Sequence, residues 1–135
     1  MNNNTEFQHQ VYLKLRDWID TDLLEWYQLS MNPNAIKLLE ANPNKIDWSM
    51  LSKNPNAIEL LKADENKDEI SWNFLSYNPK AIDLLKAKPE LIYWKMLSRN
   101  PSDGAIKLLE ANEDKINWNW LSRNSNDGAI DLLKD

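Results

Sequence analysis

Cysteine is absent from this chain. That excludes a disulfide framework, a thiolate zinc site and a thiol nucleophile. A single histidine, His9, leaves nothing for a histidine metal cluster and makes any Ser-His-Asp arrangement depend on that one residue. Two glycines leave no glycine-rich phosphate loop. No apolar run is long enough to cross a membrane, and Met1-Asn2-Asn3-Asn4 lacks the basic and apolar blocks of a signal peptide. The expectation is therefore an intracellular protein with no membrane contact. Cations are the minority charge, 16 Lys and Arg against 21 Asp and Glu in 135 residues. A net charge of −5 disfavours broad phosphate-backbone binding, which needs clustered cations, though it leaves room for a local basic patch. What is present is 42% apolar residues, including seven tryptophans.

The tryptophans reveal a repeat. Trp-x-x-Leu-Ser occurs five times, starting at Trp26, Trp48, Trp72, Trp94 and Trp118, at intervals of 22, 24, 22 and 24 residues. Each copy leads through Asn to Ala-Ile-x-Leu-Leu, as in Asn54-Pro55-Asn56-Ala57-Ile58. The last two copies carry two extra residues at that junction, Ser102-Asp103-Gly104 and Asn126-Asp127-Gly128 standing there. The other 24-residue interval holds its extra pair in Asp64 to Glu69. Insertions collect at two places per copy, which predicts loops there and packed elements between them.

Punctuation assigns the elements. Asn-Pro reads as an N-cap with proline at the first helical position, so residues 33–41 form a helix of about two and a half turns. In the last two copies the cap is expected at Asp103 and Asp127. The Trp segment reads as a second, shorter helix, roughly residues 48–53, because Trp and Leu three apart share a face. Asp47, Ser71 and Asn117 are its expected N-caps. Recurrent proline and the lack of period-2 alternation argue against strands.

Helices this short bury little alone, but stacked copies bury a continuous core. The expectation is an all-α chain: a right-handed-type α-solenoid of short two-helix repeats, 22–24 residues each, with an N-terminal capping helix. Residues 1–23 form the capping region and residues 24–135 about five tandem repeats. Thr5 caps the first helix, whose apolar face is Phe7, Val11, Leu15 and Trp18. Trp26, Trp48, Trp72, Trp94 and Trp118 recur in phase with Ile and Leu, so they are assigned to the core. Their indole N–H groups need acceptors, and the repeated Ser and Asn side chains or nearby carbonyls are candidates. At the other end, Lys134 and the outer polar residues serve as the cap, unless that end packs on a partner or the array continues.

The pattern Trp-x-x-Leu-Ser-x-Asn-Pro-Asn-Ala-Ile-x-Leu-Leu-Glu-x-Asn resembles a short repeat of proteins from giant and other large DNA viruses. Residues 26–47 and 48–56 match it nearly throughout, and the resemblance covers roughly residues 24–135. The Ser-Asp-Gly and Asn-Asp-Gly insertions depart from it. The resemblance implies no catalytic residues. It implies a binding or assembly scaffold, in host cytoplasm or virion, by analogy of fold alone.

Positions that vary within the fixed frame are the candidate site. After the invariant Ser stand Lys53, Tyr77, Arg99 and Arg123; after the Trp stand Ser49, Asn73, Lys95 and Asn119. Tyr and Arg are enriched at binding hot spots. The plainer reading is a set of solvated side chains beside helix C-termini, where cations suit the dipole. A further row, Lys37, Glu59, Asp83, Lys107 and Asp131, alternates in sign and reads as surface. Asp64, Asn66 and Asp68 match three positions of a calcium loop, but Glu69 and Leu75 break the pattern, so the segment reads as a solvated insertion. No constellation supports an enzyme, a cofactor or a metal. The expected role is non-enzymatic binding of a protein partner through the variable row, with self-association through the C-terminal end as the alternative and nucleic acid disfavoured.

Overall fold

The computed structural model describes residues 15, 16 and 18–134. Among these the chain is all helical. The Trp segments form α1 (Trp26–Met31), α3 (Trp48–Ser52), α5 (Trp72–Leu75), α7 (Trp94–Leu97) and α9 (Trp118–Leu121). The Ala-Ile segments form α2 (Ile36–Glu40), α4 (Ile58–Lys62), α6 (Ile82–Ala87), α8 (Asp103–Glu110) and α10 (Asp127–Leu132). Each copy thus contains the two expected helices. A third element, a 3-10 turn, opens each copy ahead of its Trp helix: Thr21–Leu23, Pro43–Lys45, Asp64–Glu69, Pro89–Leu91 and Glu113–Lys115. Of the expected capping region, Thr5, Phe7, His9 and Val11 lie outside the described residues. Trp18, assigned to its apolar face, stands in a turn closed by the Ile19 N–H on Arg16 O and is 76% exposed.

Both insertions are helical, which corrects the expectation of loops. The extra pair at 64–69 lengthens the 3-10 turn to six residues. The other insertion lengthens the Ala-Ile helix at its start, so α8 has eight residues where α2 has five. The caps there are Ser102 and Asn126, one residue before the expected aspartates. Their side chains accept from the Ala105 and Gly128 N–H groups, and each Asp falls in the first turn, where the helix dipole favours a carboxylate.

In the three shorter copies, Asn-Pro is not an N-cap. Asn32 Oδ1 accepts the Asn34 N–H at 2.9 Å and Asn32 O accepts the Ala35 N–H at 3.0 Å. The segment is a turn, and the helix begins at Ile36. The asparagine side chain is already committed two residues ahead, so it cannot reach the first turn of the helix.

Burial follows the repeat. Leu51, Leu75, Leu97 and Leu121 from the Trp helices are fully buried, as are Leu39, Leu61, Leu85 and Leu109 from the Ala-Ile helices. Ala35, Ala57, Ala81, Ala105 and Ala129 complete one continuous core. Trp26, Trp48, Trp72 and Trp94 are half-buried and pack against it. Trp118 is 51% exposed, which corrects its assignment to the core. Lys88 stands 5.6 Å from the Trp72 ring and Lys115 stands 4.7 Å from the Trp94 ring, each contributed by the 3-10 region of the next copy. No such lysine covers Trp118 among the described residues.

Polar side chains join copy to copy. Ser30, Ser52, Ser76 and Ser98 are fully buried. Each hydroxyl donates to the carbonyl of its own Trp at 2.8 Å and accepts a backbone N–H from the next copy, of Asp47, Ser71, Tyr93 or Asn117. Asn54, Asn78, Asn100 and Asn124 are buried too. The Asn78 amide nitrogen donates to Ser52 O at 3.0 Å and to Asn54 O at 2.9 Å, both in the preceding copy. Its Oδ1 accepts the Lys80 N–H. Asn54, Asn100 and Asn124 repeat the pattern. A primary amide has two N–H donors, and both are used on carbonyls that burial has removed from water. The Trp26 indole N–H donates to a nearby carbonyl, Thr21 O, at 3.0 Å.

A cationic and aromatic groove

The Trp helices are only four to six residues long, so their third positions and the residues following their serines fall close together across copies. Lys53, Phe74, Tyr77, Met96, Arg99 and Trp120 line one open concavity of about 430 Å³. Lys53 Nζ lies 4.2 Å from the centre of the Phe74 ring. The Arg99 guanidinium lies between two rings, 5.9 Å from Tyr77 and 5.5 Å from Trp120. Trp120 also receives Lys95 at 5.3 Å and Arg123 at 5.9 Å. Contacts of this kind contribute about 0.5–1 kcal/mol each at exposed sites.

Of the candidate residues, Lys53, Tyr77 and Arg99 line this concavity, while Lys95 and Arg123 stand beside it against Trp120. Ser49, Asn73 and Asn119 are not part of its lining. Phe74, Met96 and Trp120 were missed as site residues. The signal for them was present: the position before the invariant Leu is Met50, Phe74, Met96 or Trp120 in successive copies, large and apolar but never fully buried. The alternating row Lys37, Glu59, Asp83, Lys107 and Asp131 is exposed throughout.

Charge is distributed unevenly. Among the described residues, ion pairs join Lys45 to Asp22, Lys62 to Glu59, Lys67 to Asp64 and Lys134 to Asp131. None involves Lys53, Lys95, Arg99 or Arg123, and no carboxylate lines the groove. The Asp64 carboxyl is held below its ordinary range by a hydrogen bond and the charge of Lys67. Asn66 meanwhile donates to Leu60 O, so two of the three calcium-like positions are engaged within the chain. Among the described residues no three His, Cys, Asp or Glu side chains gather as metal ligands, and no helix is long and apolar enough to cross a membrane. No protein-family model, curated protein or solved structure matches this chain.

Proposed function

We propose that the chain is a non-enzymatic α-solenoid scaffold that binds a protein partner through the cationic and aromatic groove. The observation that carries this reading is the convergence on three aromatic rings of four cations that have no ion pair among the described residues, in a chain of net charge −5. Arg, Tyr and Trp are the side chains most often responsible for binding energy at protein interfaces. The stacking of copies through Ser and Asn supports the repeat array, since it ties each copy to its predecessor in fixed register. The resemblance to viral repeat proteins supports a scaffold over a catalyst. The test is affinity capture from source-cell lysate with the chain and with an Arg99→Glu/Arg123→Glu variant as baits. Both arginines are exposed, so the variant should melt with the parent. A stoichiometric protein captured by the parent and lost with the variant supports the reading; capture indifferent to the variant overturns it.

A second reading, assembly through the last copy, is favoured by exposed apolar side chains there. Trp118, Ile130 and Leu133 are 51%, 45% and 43% exposed on the last copy. A particle mass that stays monomeric by light scattering at high concentration counts against copies of the chain meeting there.

A further inference from the structure

Resting on that proposed binding role, we infer that the groove takes an acidic peptide in extended conformation, with one apolar side chain near its centre. The charge argument comes first. Lys53 and Arg99 line one concavity, and Lys95 and Arg123 stand against its Trp120 ring; no carboxylate is in the lining, and none of the four cations has an ion pair to a described residue. Like charges held together repel one another, and an anionic ligand relieves that repulsion while its own carboxylates gain charge-assisted hydrogen bonds. Arg99 is exposed and lies between two rings, which holds the planar guanidinium in a defined place. A held guanidinium presents its N–H fork to a carboxylate at low entropic cost.

The floor of the groove is apolar. Phe74, Met96 and Trp120 supply it, and methionine adapts to differently shaped partners. A concavity of about 430 Å³ accommodates an aliphatic or aromatic side chain flanked by acidic ones. Adjacent packed helices stand roughly 8–10 Å apart. Three such steps separate Lys53 from Arg123, so roughly eight residues of extended peptide would span the row at about 3.3 Å each.

The same geometry disfavours single-stranded nucleic acid, which also seeks cations and aromatics. Such strands bind by laying bases on free ring faces. Here Lys53 is stacked on Phe74, Arg99 on Tyr77, and three cations stand around Trp120. A base would have to displace them, whereas a carboxylate approaches the cations where they are.

The experiment is selection of random dodecapeptides displayed on phage against the intact chain, followed by titration of the recovered peptides. The expected result is Asp and Glu content at least about twofold above the input pool, around a single Leu, Phe or Met. Affinity should fall at least tenfold when peptide Asp and Glu are replaced by Asn and Gln. It should fall similarly with Arg99→Glu/Arg123→Glu at an unchanged melting temperature, and several-fold with Arg99→Lys, which keeps charge but loses the fork. Recovered peptides without acidic enrichment that are still lost with the double variant overturn the acidic preference and leave the binding role standing. Recovery of no peptide, or of acidic peptides indifferent to the double variant, overturns the inference; the binding role itself is decided by the capture experiment. An oligothymidylate that displaces the recovered peptides and binds more tightly than they do assigns the groove to nucleic acid instead.

Discussion

The side-chain amide of Asn78 donates to the main-chain oxygen of Asn54 at 2.9 Å, and Asn54 does the same to Asn32 at 3.0 Å. The relationship continues through Asn100 and Asn124. Asparagine is the one residue that fits this place. Its two N–H groups meet two carbonyls of the preceding copy while its oxygen closes the turn ahead.

Replacing Asn78 by Ala leaves Ser52 O buried without a donor and Asn54 O with the Ala57 N–H alone. A buried polar group stripped of its partner costs roughly 1–3 kcal/mol, so Asn78→Ala should lose about that much in urea unfolding. Asn34→Ala, at an exposed asparagine in the first copy, should change stability by no more than about 0.5 kcal/mol. Asn78→Asp sharpens the test. A carboxylate there faces two carbonyls and is buried, so its folded-state pKa is raised above its unfolded value. The sign follows: relative to the parent, its deficit should grow as pH rises through that raised pKa and shrink toward acid. Equal costs at Asn34 and Asn78 would refute the cross-copy role.

Chemically identical tryptophans should differ by position. Trp72 is half-buried with Lys88 against its ring, while Trp118 is 51% exposed. Full aromatic truncation in a core costs about 3–5 kcal/mol. Trp72→Ala should approach the low end of that range and Trp118→Ala should cost about 1 kcal/mol. Leu75→Ala, at a fully buried site in the same helix as Trp72, should cost about 2–5 kcal/mol. Calorimetry on the three variants checks the order, and a Trp118 cost equal to that of Trp72 would show that the last copy is packed like the others.

Gly104 lies in the first turn of α8, against Ile82. A Cβ there would stand 3.0 Å from Ile82 Cγ2, 3.1 Å from Cγ1 and 3.4 Å from Cβ. Alanine would gain about 1 kcal/mol of helix propensity, but overpacking costs about 1–3 kcal/mol, and a β-branched side chain has little rotamer freedom in a helix to yield. Gly104→Ala should therefore destabilise by about 1 kcal/mol. In an Ile82→Ala background the same substitution should be neutral or stabilising. Additive effects in this double-mutant cycle would mean that the two positions do not touch.

Much of this architecture was legible in the chain. The fixed distance from Trp to Leu to Ala-Ile-x-Leu-Leu placed both helices, and the buried leucines and alanines follow it. The cross-copy bonds were not legible. Asn before Pro has the composition of a cap, and only the position of the preceding copy's carbonyls shows where its amide points. Trp118 was misplaced because a repeat implies equal surroundings, whereas among the described residues Trp72 and Trp94 have a lysine against the ring and Trp118 has none. The groove was half-read: varying cations stood out, but Phe74, Met96 and Trp120 stand one place before a fixed, buried Leu, and nothing in the chain shows that this neighbouring place faces a concavity.

Helix caps give a final separation of pattern from structure. Asp47, Ser71 and Asn117 occupy the same position before a Trp helix, and all three are favourable cap residues. Asp47 Oδ1 accepts the Met50 N–H at 2.9 Å and Asn117 Oδ1 accepts the Trp120 N–H at 3.1 Å. Ser71 makes no side-chain cap bond. Its short side chain contributes nothing to the first turn of α5, while its backbone N–H is held by Ser52 Oγ at 3.0 Å. Loss of a working cap costs typically about 1 kcal/mol. Asp47→Ala and Asn117→Ala should each lose about that much, and Ser71→Ala should stay within about 0.5 kcal/mol. Chemical denaturation of the three single variants measures this directly. A full cap-sized loss at Ser71 would mean that its hydroxyl does bond the first turn in solution, and that all three copies start their Trp helices in the same way.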